Sequence, residues 1–269
     1  MIRLLAIDLD GTLFNSKQQI SPADRRAIVL AQQSGITPLV VTGRGRRGVE
    51  MGLDRLGMDL PHICSAGALI RQSRGGPALS SRTFQRMDEF RYVLDFVREH
   101  DLGLVADAPG THLWFGPDAL FENLDPLTAE SALQARTFDP ERDFDQPLHK
   151  ATLVAHPQLL AIAEPLISRH CPSLHHTVAG ERYIDVTAHG VDKGSGLAIY
   201  AEKMGYALDE IAAIGDQMID IPMLSLAGFS AAMGNAGAEV RAAADLVAPS
   251  NDEDGVAWFI EQILQGRMS

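Results

Sequence analysis

The sequence predicts an α/β fold in which a doubly wound, mostly parallel, Rossmann-like core sheet is interrupted by a second α/β domain. The first observation is that short apolar runs alternate with amphipathic stretches near the start of the chain and again after Asp192. The second is that this alternation breaks from about Thr83. Because parallel strands are joined by right-handed helical crossovers, the alternating parts predict one parallel sheet and the break predicts an insert.

Strand, helix and strand open the chain. Leu4 to Ile7 is an apolar run of strand length, stopped by Asp8. Ser21-Pro22 offers an N-cap and a first-turn proline for a helix. Gly35 is placed as the residue after the end of that helix. Ile36 to Val41 is then predicted as the second strand, and its position after a crossover helix makes it parallel to the first.

The rest of the chain is assigned in the same way. Helix Val49 to Leu56 and strand His62 to Ser65 complete the first part, and Leu120 to Pro147 receives no element. The insert is predicted to contain helix Met87 to His100, strands Gly103 to Val105, Thr111 to Phe115 and Ala151 to Ala155, a helix to His170, and strands Leu174 to Val178 and Tyr183 to Val186. The last part is predicted to contain a helix to Met204, strand Ile211 to Ile214, a helix near Met223, strand Phe229 to Ala232, a helix near Val240, strand Leu246-Val247 and helix Gly255 to Leu264. We therefore predict residues 1–82 and 188–269 as the core domain and residues 83–187 as the insert.

Composition and charge exclude several classes of protein. Of the 269 residues, 46% are apolar and 22% charged, which is ordinary globular composition. The formal net charge of −12 argues against a nucleic-acid partner, because such binding depends on Lys and Arg. Two cysteines form neither a disulfide framework nor a zinc pattern. Apolar stretches are too short for a membrane span, and Asp8 leaves no room for a secretory leader. We expect a cytoplasmic protein with no membrane partner, as a monomer or small homo-oligomer.

Carboxylates follow two of the predicted strands. The first strand runs into Asp8 and Asp10, and the strand that ends at Ile214 runs into Asp216, with Asp220 one helical turn later. Because the carboxyl ends of parallel strands meet at one edge of a sheet, these side chains are expected to lie together. An oxygen-rich, anionic site suits Mg2+, which takes one or two carboxylates and leaves positions for water and a phosphate.

Three more features fit a phosphate at this edge. Thr42-Gly43 follows the second strand and offers a hydroxyl and a backbone N–H. Lys193 begins a predicted helix, where an ammonium is unfavourable unless an anion is near. Arg44 is a further cation that can flank the entrance for substrate. On a chain of net charge −12, such local cations have to overcome the long-range repulsion of a dianionic substrate.

Four segments occur in a fixed order: Asp8-Leu9-Asp10-Gly11-Thr12-Leu13, Val41-Thr42-Gly43-Arg44, Asp192-Lys193-Gly194 and Gly215-Asp216-Gln217-Met218-Ile219-Asp220. They resemble the four motifs of the haloacid dehalogenase superfamily, and the extent of the likeness is similar to the Cof-type phosphatases of its subfamily IIB. Further segments that resemble the family are Ser65-Ala66-Gly67-Ala68, Ala232-Met233-Gly234-Asn235-Ala236 and Asn251-Asp252-Glu253-Asp254-Gly255-Val256. The insert falls where this family carries its α/β cap domain.

The resemblance implies a Mg2+-dependent phosphatase of small phosphorylated metabolites, with sugar phosphates among the candidates. Asp8 is then the nucleophile that forms an aspartyl-phosphate, and Asp10 the general acid and base. Thr42 and Lys193 bind phosphoryl oxygens. The residues implied to hold Mg2+ are Asp8, Asp10 through its backbone carbonyl, and Asp216, with Asp220 in the same acidic group.

Two positions depart from the family pattern. The family usually carries asparagine where this chain has Ile219, and Asn-Gly where it has Ala66-Gly67. Loss of one transition-state donor typically costs on the order of 10²–10³ in rate. We therefore expect attenuated activity or a shifted substrate rather than inactivity.

Three other functions stay open on sequence grounds. A phosphomutase of the same fold would return the phosphoryl group to a second substrate hydroxyl, and a non-catalytic relative would bind phosphoesters without turnover. The segment Gly43 to Gly48 also spells the GxGxxG pattern of dinucleotide-binding proteins. That pattern normally follows the first strand and is followed by an acidic residue at the end of the next one. Here the next strand ends in Cys64-Ser65 without an acid, so an NAD(P)-dependent enzyme is disfavoured.

Overall fold

The computed structural model describes residues 1–85, 87–108, 111–117, 136–143, 146–179 and 182–266. Its strands are β1 (Leu4–Ile7), β2 (Thr37–Val41), β3 (His62–Cys64), β4 (Leu69–Arg71), β5 (Ala78–Ser81), β6 (Gly103–Ala108), β7 (Thr111–Phe115), β8 (Arg136–Thr137), β9 (Lys150–Val154), β10 (Leu174–Ala179), β11 (Tyr183–Ala188), β12 (Ile211–Gly215), β13 (Phe229–Ala232) and β14 (Leu246–Val247). Its α-helices are α1 (Pro22–Gln33), α2 (Arg46–Leu56), α3 (Met87–Glu99), α4 (Pro140–Asp143), α5 (Pro157–His170), α6 (Lys193–Met204), α7 (Ile221–Leu226), α8 (Ala238–Ala242) and α9 (Gly255–Leu264). In the part of the chain covered by these ranges, no helix combines the length and apolar character needed to cross a membrane.

By packing, the chain divides into two compact units. The first unit contains Met1–Gly43, Val49–Ser80 and Asp192–Ser269. The second unit contains Arg44–Gly48 and Ser81–Val191. The predicted domain limits concern folding domains rather than packing units, so they stay a prediction.

The first unit is built on a mostly parallel sheet. Its strand order is β14-β13-β12-β1-β2-β3-β4-β5. The pairs on either side of β1 are parallel, whereas β3 and β4 are antiparallel. Strand order reverses at β1, since the chain moves outward from it to β2 in one direction and returns to β12 on the other side. In open α/β sheets, ligands bind at the carboxyl ends of the strands beside such a reversal.

Around β1 both faces of this sheet are buried, as is usual for a parallel sheet covered by helices on both sides. Leu5 and Ile7 of β1 belong to one apolar cluster, together with residues of α1, α2 and α9. Leu4 and Ala6 belong to a second cluster on the other face, together with residues of α6 and α7. Alternate β1 side chains thus pack against helices on opposite sides, which confirms the doubly wound core.

Local signals set the ends of the helices as predicted. The Ser21 hydroxyl accepts the N–H of Asp24 at 3.0 Å and caps α1, whose first residue is Pro22. After α1, Gly35 adopts a φ of +83°, which favours glycine. At α6, the Asp192 carboxylate accepts the N–H of Ser195 at 2.6 Å, and the Ser195 hydroxyl accepts the N–H of Asp192 at 3.0 Å. This reciprocal capping box fixes where α6 begins.

The second unit contains an antiparallel sheet. Its order is β10-β11-β9-β6-β7-β8, with only the short β7–β8 pair parallel. One face carries apolar side chains in register, such as Leu104, Leu153 and Ile184, all fully buried. The helices α3 and α5 pack on this sheet. The predicted α/β character of the insert is therefore confirmed together with the fold class.

Some elements were not predicted. Strands β4 and β5 extend the first sheet, but β5 is short and partly exposed, so it lacks the apolar run that marks a strand. The segment without a predicted element, Leu120 to Pro147, contains β8 and α4 in its described part, and its remainder lies outside the described residues.

Candidate active site

The candidate active site lies at the carboxyl edge of the first sheet, where β1 and β12 end side by side. Ile7 lies opposite Ile214 in the parallel pair. The backbone N–H of Asp8 donates to the Ile214 carbonyl at 3.1 Å. Because the two strands are parallel and in register, Asp8 and Asp216 leave the sheet at the same edge.

Three carboxylates from these strand ends form the acidic cluster. Asp8, Asp216 and Asp220 are buried, and each offers an oxygen atom within 4.8 Å of the others. Like charges at this separation repel each other unless cations compensate them. The structure thus brings together three carboxylates that the sequence placed in two separate motifs.

Lys193 supplies positive charge inside the acidic cluster. Its Nζ donates to Asp8 Oδ1 at 2.6 Å and to Asp220 Oδ1 at 2.5 Å, and the residue is only 1% exposed. Lys193 is the first residue of α6. An ammonium is unfavourable at the positive end of a helix dipole, so the two carboxylates account for its position there.

Asp220 is engaged through both carboxylate oxygens. Oδ2 accepts the backbone N–H groups of Asp216 at 3.0 Å and Gln217 at 2.9 Å, while Oδ1 accepts Lys193. These bonds fix the 3₁₀ turn Met218–Asp220 that follows β12. The geometry therefore favours Asp220 as the residue that anchors Lys193, and its predicted contact with a metal stays a prediction.

The electrostatics of the acidic cluster follow from burial and charge. Burial raises the pKa of Asp8 well above its ordinary value; Lys193 opposes this rise, and the charges of Asp220 and Asp216 add to it. Burial and the charge of Asp220 raise the pKa of Asp216 to about 6. For Lys193, burial alone would lower the pKa, but the two contacting carboxylates raise it above its usual range. The lysine stays charged, and the cluster favours additional positive charge.

The donor set of the acidic cluster fits Mg2+. Mg2+ prefers oxygen ligands and usually takes one or two carboxylates. From the described residues, Oδ2 of Asp216 receives long hydrogen bonds, from Gln217 Nε2 at 3.2 Å and from Asn235 Nδ2 at 3.4 Å, so it is readily available to a cation. Asp8 and Asp216 are therefore the side chains best suited to hold the ion.

Thr12 and Gly11 also belong to the site, although the sequence assigned them no role. The Thr12 hydroxyl donates to Asp216 Oδ1 at 3.0 Å. Gly11 has a φ of +79°, and a Cβ there would lie 2.3 Å from Asp216 Oδ2. Only glycine therefore lets the backbone after Asp10 pass so close to Asp216. Both residues stand in the first quoted motif, but their role depends on Asp216, which lies 204 residues after Thr12 in the chain.

The other predicted residues occupy positions consistent with their motifs. Asp10 is partly exposed, and its charge contributes to the raised pKa of Asp8. Thr42 and Gly43 follow β2, and Thr42 is buried at the same edge of the sheet. Arg44 packs with the second unit. The roles of these four residues stay predictions.

Ala66 lies in a turn after β3 whose backbone has positive φ angles. Ser65 and Ala66 have φ values of 50° and 54°, a region that non-glycine residues seldom adopt. The Ala66 N–H donates to the Thr42 carbonyl at 3.2 Å, which connects this turn to the end of β2. Asparagine tolerates such a conformation better than alanine. The departure at Ala66 thus keeps the turn but places more strain at the site.

Comparison with known proteins places this site in a family. The profile of the haloacid dehalogenase-like hydrolases matches residues 5–260. The chain is 30% identical to the 5-amino-6-(5-phospho-D-ribitylamino)uracil phosphatase YwtE of Bacillus subtilis, over 99% of both proteins. It is 26% identical to the pyridoxal phosphate phosphatase YbhA of Escherichia coli, over 96% of this chain and 97% of the relative.

A solved structure with a similar fold is the HAD subclass IIB sugar phosphatase BT4131. It superimposes with a TM-score of 0.85 over 97% of this chain and 98% of the other, at 22% identity. At this identity the likeness concerns the fold alone.

The site and the matches together define a hydrolase of phosphoric monoesters with a cluster of buried aspartates. The chain belongs to the haloacid dehalogenase-like hydrolase family. The predicted family is confirmed, and so is the prediction of an enzyme that hydrolyses phosphoric monoesters, since YwtE and YbhA are named as phosphatases.

Proposed function

We propose that this protein is a Mg2+-dependent phosphatase of a small phosphorylated metabolite, with Asp8 as the nucleophile. The observation that carries the proposal is the buried contact of Lys193 with both Asp8 and Asp220, beside Asp216, at the reversal point of the sheet. A carboxylate, a fixed cation and an oxygen-rich metal site are the groups that phosphoryl transfer needs, because its catalysis is mainly positioning and charge stabilisation.

Asp8 has to be ionised to attack phosphorus. Burial alone favours its protonated form, and Lys193 opposes that effect from 2.6 Å. When bound, Mg2+ supplies further positive charge that stabilises the carboxylate and neutralises phosphoryl oxygens. Asp8 then forms a bond to phosphorus as the bond to the leaving oxygen breaks, which gives an aspartyl-phosphate. Lys193 keeps one carboxylate contact through Asp220 while it binds a phosphoryl oxygen.

Asp10 is proposed to move the protons. It donates a proton to the leaving oxygen in the first half-reaction. In the second it takes a proton from water as the water oxygen bonds to phosphorus and the bond between Asp8 and phosphorus breaks, which releases phosphate. Its partly exposed position, two residues after Asp8, suits a group that has to reach both the leaving group and water. Its backbone carbonyl is proposed as a Mg2+ ligand beside Asp8 and Asp216.

The end of β2 is proposed to bind the phosphoryl group. Thr42 contributes its hydroxyl and Gly43 its backbone N–H, and Arg44 flanks the entrance for substrate. The backbone of Thr42 is held by the N–H of Ala66 on one side and by the Ile63 carbonyl on the other, at 3.2 Å and 2.9 Å. A donor that is already held in place costs little reorganisation at the moment of reaction.

The substrate class is inferred from the relatives. YwtE acts on a phosphorylated ribityl compound and YbhA on pyridoxal phosphate, both small phosphorylated molecules. We infer the same class here, and phosphorylated sugars and polyols are the first compounds to screen. The predicted cap domain is proposed to choose among leaving groups.

The proposal is tested by replacing Asp8 with asparagine. Asp8→Asn keeps the size of the side chain but replaces the nucleophilic carboxylate by a neutral, poorly nucleophilic amide, so Mg2+-dependent release of phosphate from an aryl phosphate should fall by at least about 10³-fold. Asp24→Asn is the matched control, because Asp24 is also a buried carboxylate but lies on α1. It should keep the activity of the parent protein.

Three results would decide against the proposal or amend it. Full turnover by Asp8→Asn excludes the nucleophile assignment. Unchanged activity after EDTA treatment excludes the metal dependence. Transfer of labelled phosphate to a second hydroxyl of the substrate, instead of to water, identifies a phosphomutase.

A further inference from the structure

Two asparagines outside the four motifs contact the loop that follows Asp8. Asn235 follows β13, and Asn251 lies between β14 and α9. Both belong to the first unit. We refer to residues 8–14 as the nucleophile loop and to Asn235 with Asn251 as the asparagine clamp.

Asn235 connects the nucleophile loop to the candidate metal ligand Asp216. Its Nδ2 donates to the Gly11 carbonyl at 2.8 Å and lies 3.4 Å from Asp216 Oδ2. A side-chain amide has two N–H groups, so it can serve both acceptors at once. Its Oδ1 accepts the backbone N–H of Asn251 at 3.0 Å. These partners fix the orientation of the amide, since the opposite one would set its oxygen against two acceptors.

Asn251 holds the other end of the nucleophile loop. Its Nδ2 donates to the Phe14 carbonyl at 2.9 Å. The clamp therefore binds carbonyls at Gly11 and Phe14, on either side of Thr12, and the two asparagines are joined by the bond from the Asn251 N–H to Asn235. A loop held at two points loses freedom to reorient between them.

Both carboxylate oxygens of Asp216 are connected to the nucleophile loop by hydrogen bonds. Oδ1 accepts the Thr12 hydroxyl at 3.0 Å, and Oδ2 faces Asn235, which itself holds Gly11. Strand pairing sets the spacing of β1 and β12, but it does not set the direction of a side chain beyond the strand end. The clamp and Thr12 provide that second constraint for Asp216 relative to Asp8.

We propose that Asn235 and Asn251 are positioning residues that hold Asp216 and the nucleophile loop in the arrangement that binds the divalent cation. The inference rests on the proposed function, because it assigns the cation to Asp8 and Asp216. Residues that orient metal ligands through hydrogen bonds typically contribute 10- to 100-fold to metal affinity or activity. The clamp acts on the ligands before the cation arrives.

The test measures Mg2+ binding to the full-length protein without substrate. Titration calorimetry with Mg2+ should show a dissociation constant about 10- to 100-fold higher for Asn235→Ala than for the parent protein. Asn251→Ala should raise it less, because Asn251 reaches Asp216 only through Asn235 and the loop. In assays with an aryl phosphate, raising the Mg2+ concentration should restore most of the lost kcat, a recovery that a merely structural role would not give.

Asp252→Ala is the matched control. Asp252 is the neighbour of Asn251, but its Oδ1 accepts the N–H of Ser16, outside the nucleophile loop. The Asp252→Ala variant removes one side-chain contact of the segment between β14 and α9, which also carries Asn251, and should leave the Mg2+ dissociation constant unchanged. Urea denaturation of each variant in EDTA separates a loss of fold stability from a loss of metal affinity.

The outcomes separate the clamp from the proposed function. A Mg2+ dissociation constant within twofold of the parent value in folded Asn235→Ala would overturn the clamp. If that variant does not fold, Asn251→Ala decides in the same way, with an unchanged constant counting against the proposal. If the parent protein does not bind Mg2+, the metal dependence in the proposed function is refuted, and the clamp falls with it. If it binds Mg2+ but has no phosphatase activity, the proposed function is refuted, and the Mg2+ dissociation constants of the variants still decide on the clamp.

Discussion

Ile219 lies in the turn Met218–Asp220, directly before the carboxylate that anchors Lys193. The family usually carries asparagine at this position, where its amide would contact phosphate. Ile219→Asn should therefore strengthen binding of inorganic phosphate about tenfold, since a hydrogen bond to a charged group contributes about 1.5–3 kcal/mol. The inhibition constant of phosphate against aryl phosphate hydrolysis measures this effect.

The control for this change is Ile219→Val, which keeps an apolar side chain. It should leave the inhibition constant of phosphate close to that of the parent protein. An unchanged or higher constant in Ile219→Asn would mean that the side chain at this position does not face the phosphate.

His62 predicts a dependence of stability on pH. It is fully buried in β3, and its Nδ1 faces the Leu60 carbonyl at 3.0 Å. Among the residues that the structure describes, its Nε2 has no hydrogen-bond partner. Burial, with the charge of Arg71, lowers the pKa of His62 below its ordinary value of 6.5. Below pH 6.5 the unfolded chain then binds more protons than the folded one. The contribution of neutral His62 to stability is complete above pH 6.5, and it is lost as the pH falls from 6.5 through the lower pKa of His62 in the folded protein.

Urea denaturation between pH 8 and pH 5 measures this loss. The free energy of unfolding should fall by up to about 1.4 kcal/mol per pH unit below pH 6.5 because of this one group. In His62→Asn, which keeps a donor for the Leu60 carbonyl but does not titrate, the fall should be smaller by that amount. If the free energy of unfolding depends on pH equally in the two proteins, the pKa of His62 is not lowered by folding.

The individual residues of the site were predictable to different degrees. That Asp8, Asp216 and Lys193 lie together could be predicted, because the carboxyl ends of parallel strands meet at one edge and an ammonium at a helix start needs an anion nearby. Asn235 and Asn251 could not be assigned a role in the same way. An asparagine is an ordinary turn residue, and its role here depends on carbonyls about 220–240 residues away in the chain.

At the scale of elements, the start of α6 links fold stability to the site. The Asp192 carboxylate caps α6, and the next residue is Lys193. Asp192→Ala removes the acceptor for the Ser195 N–H and should lower the free energy of unfolding by about 1 kcal/mol. It should also lower kcat, because the helix start that places Lys193 becomes less well defined.

Asp192→Asn is the matched control, because asparagine caps helices about as well as aspartate. Urea denaturation and aryl phosphate kinetics should both give values near those of the parent protein. A loss of stability in Asp192→Asn as large as in Asp192→Ala would show that the charge of Asp192, rather than its capping bond, stabilises α6.

Elements with strong end signals and buried runs were predicted closely. The predicted bounds of β1 and α9 are those observed, because β1 is an uninterrupted apolar run and α9 is an apolar helix after a polar turn. β4 and β5 were missed because they form an antiparallel edge, and pairing to an existing sheet, rather than their own sequence, makes them strands.

At the scale of the whole molecule, the net charge of −12 opposes the approach of a dianionic substrate. In the proposed mechanism Lys193 attracts the phosphate at short range, although it is buried and already paired with two carboxylates. Salt weakens interactions between distant exposed charges far more than those between buried neighbours. Added salt should therefore reduce the repulsion and leave the short-range attraction largely intact.

This argument predicts that kcat/KM for an aryl phosphate rises with ionic strength. Between about 0.01 M and about 0.15 M KCl the Debye length falls from about 30 Å to about 8 Å, and kcat/KM should rise about two- to threefold at constant Mg2+. Because the proposed chemical step takes place within the buried cluster, kcat should stay nearly constant.

A charge-altered variant provides the control for the salt effect. The double variant Glu202→Lys/Glu261→Lys replaces two exposed negative charges, one on α6 and one on α9, by positive charges. The weaker repulsion should raise kcat/KM at low salt and make the rise with KCl shallower. A fall of kcat/KM with added KCl in the parent protein would mean that local cations such as Lys193 and Arg44 already dominate the field along the path of the substrate, and that the net charge has no part in its capture.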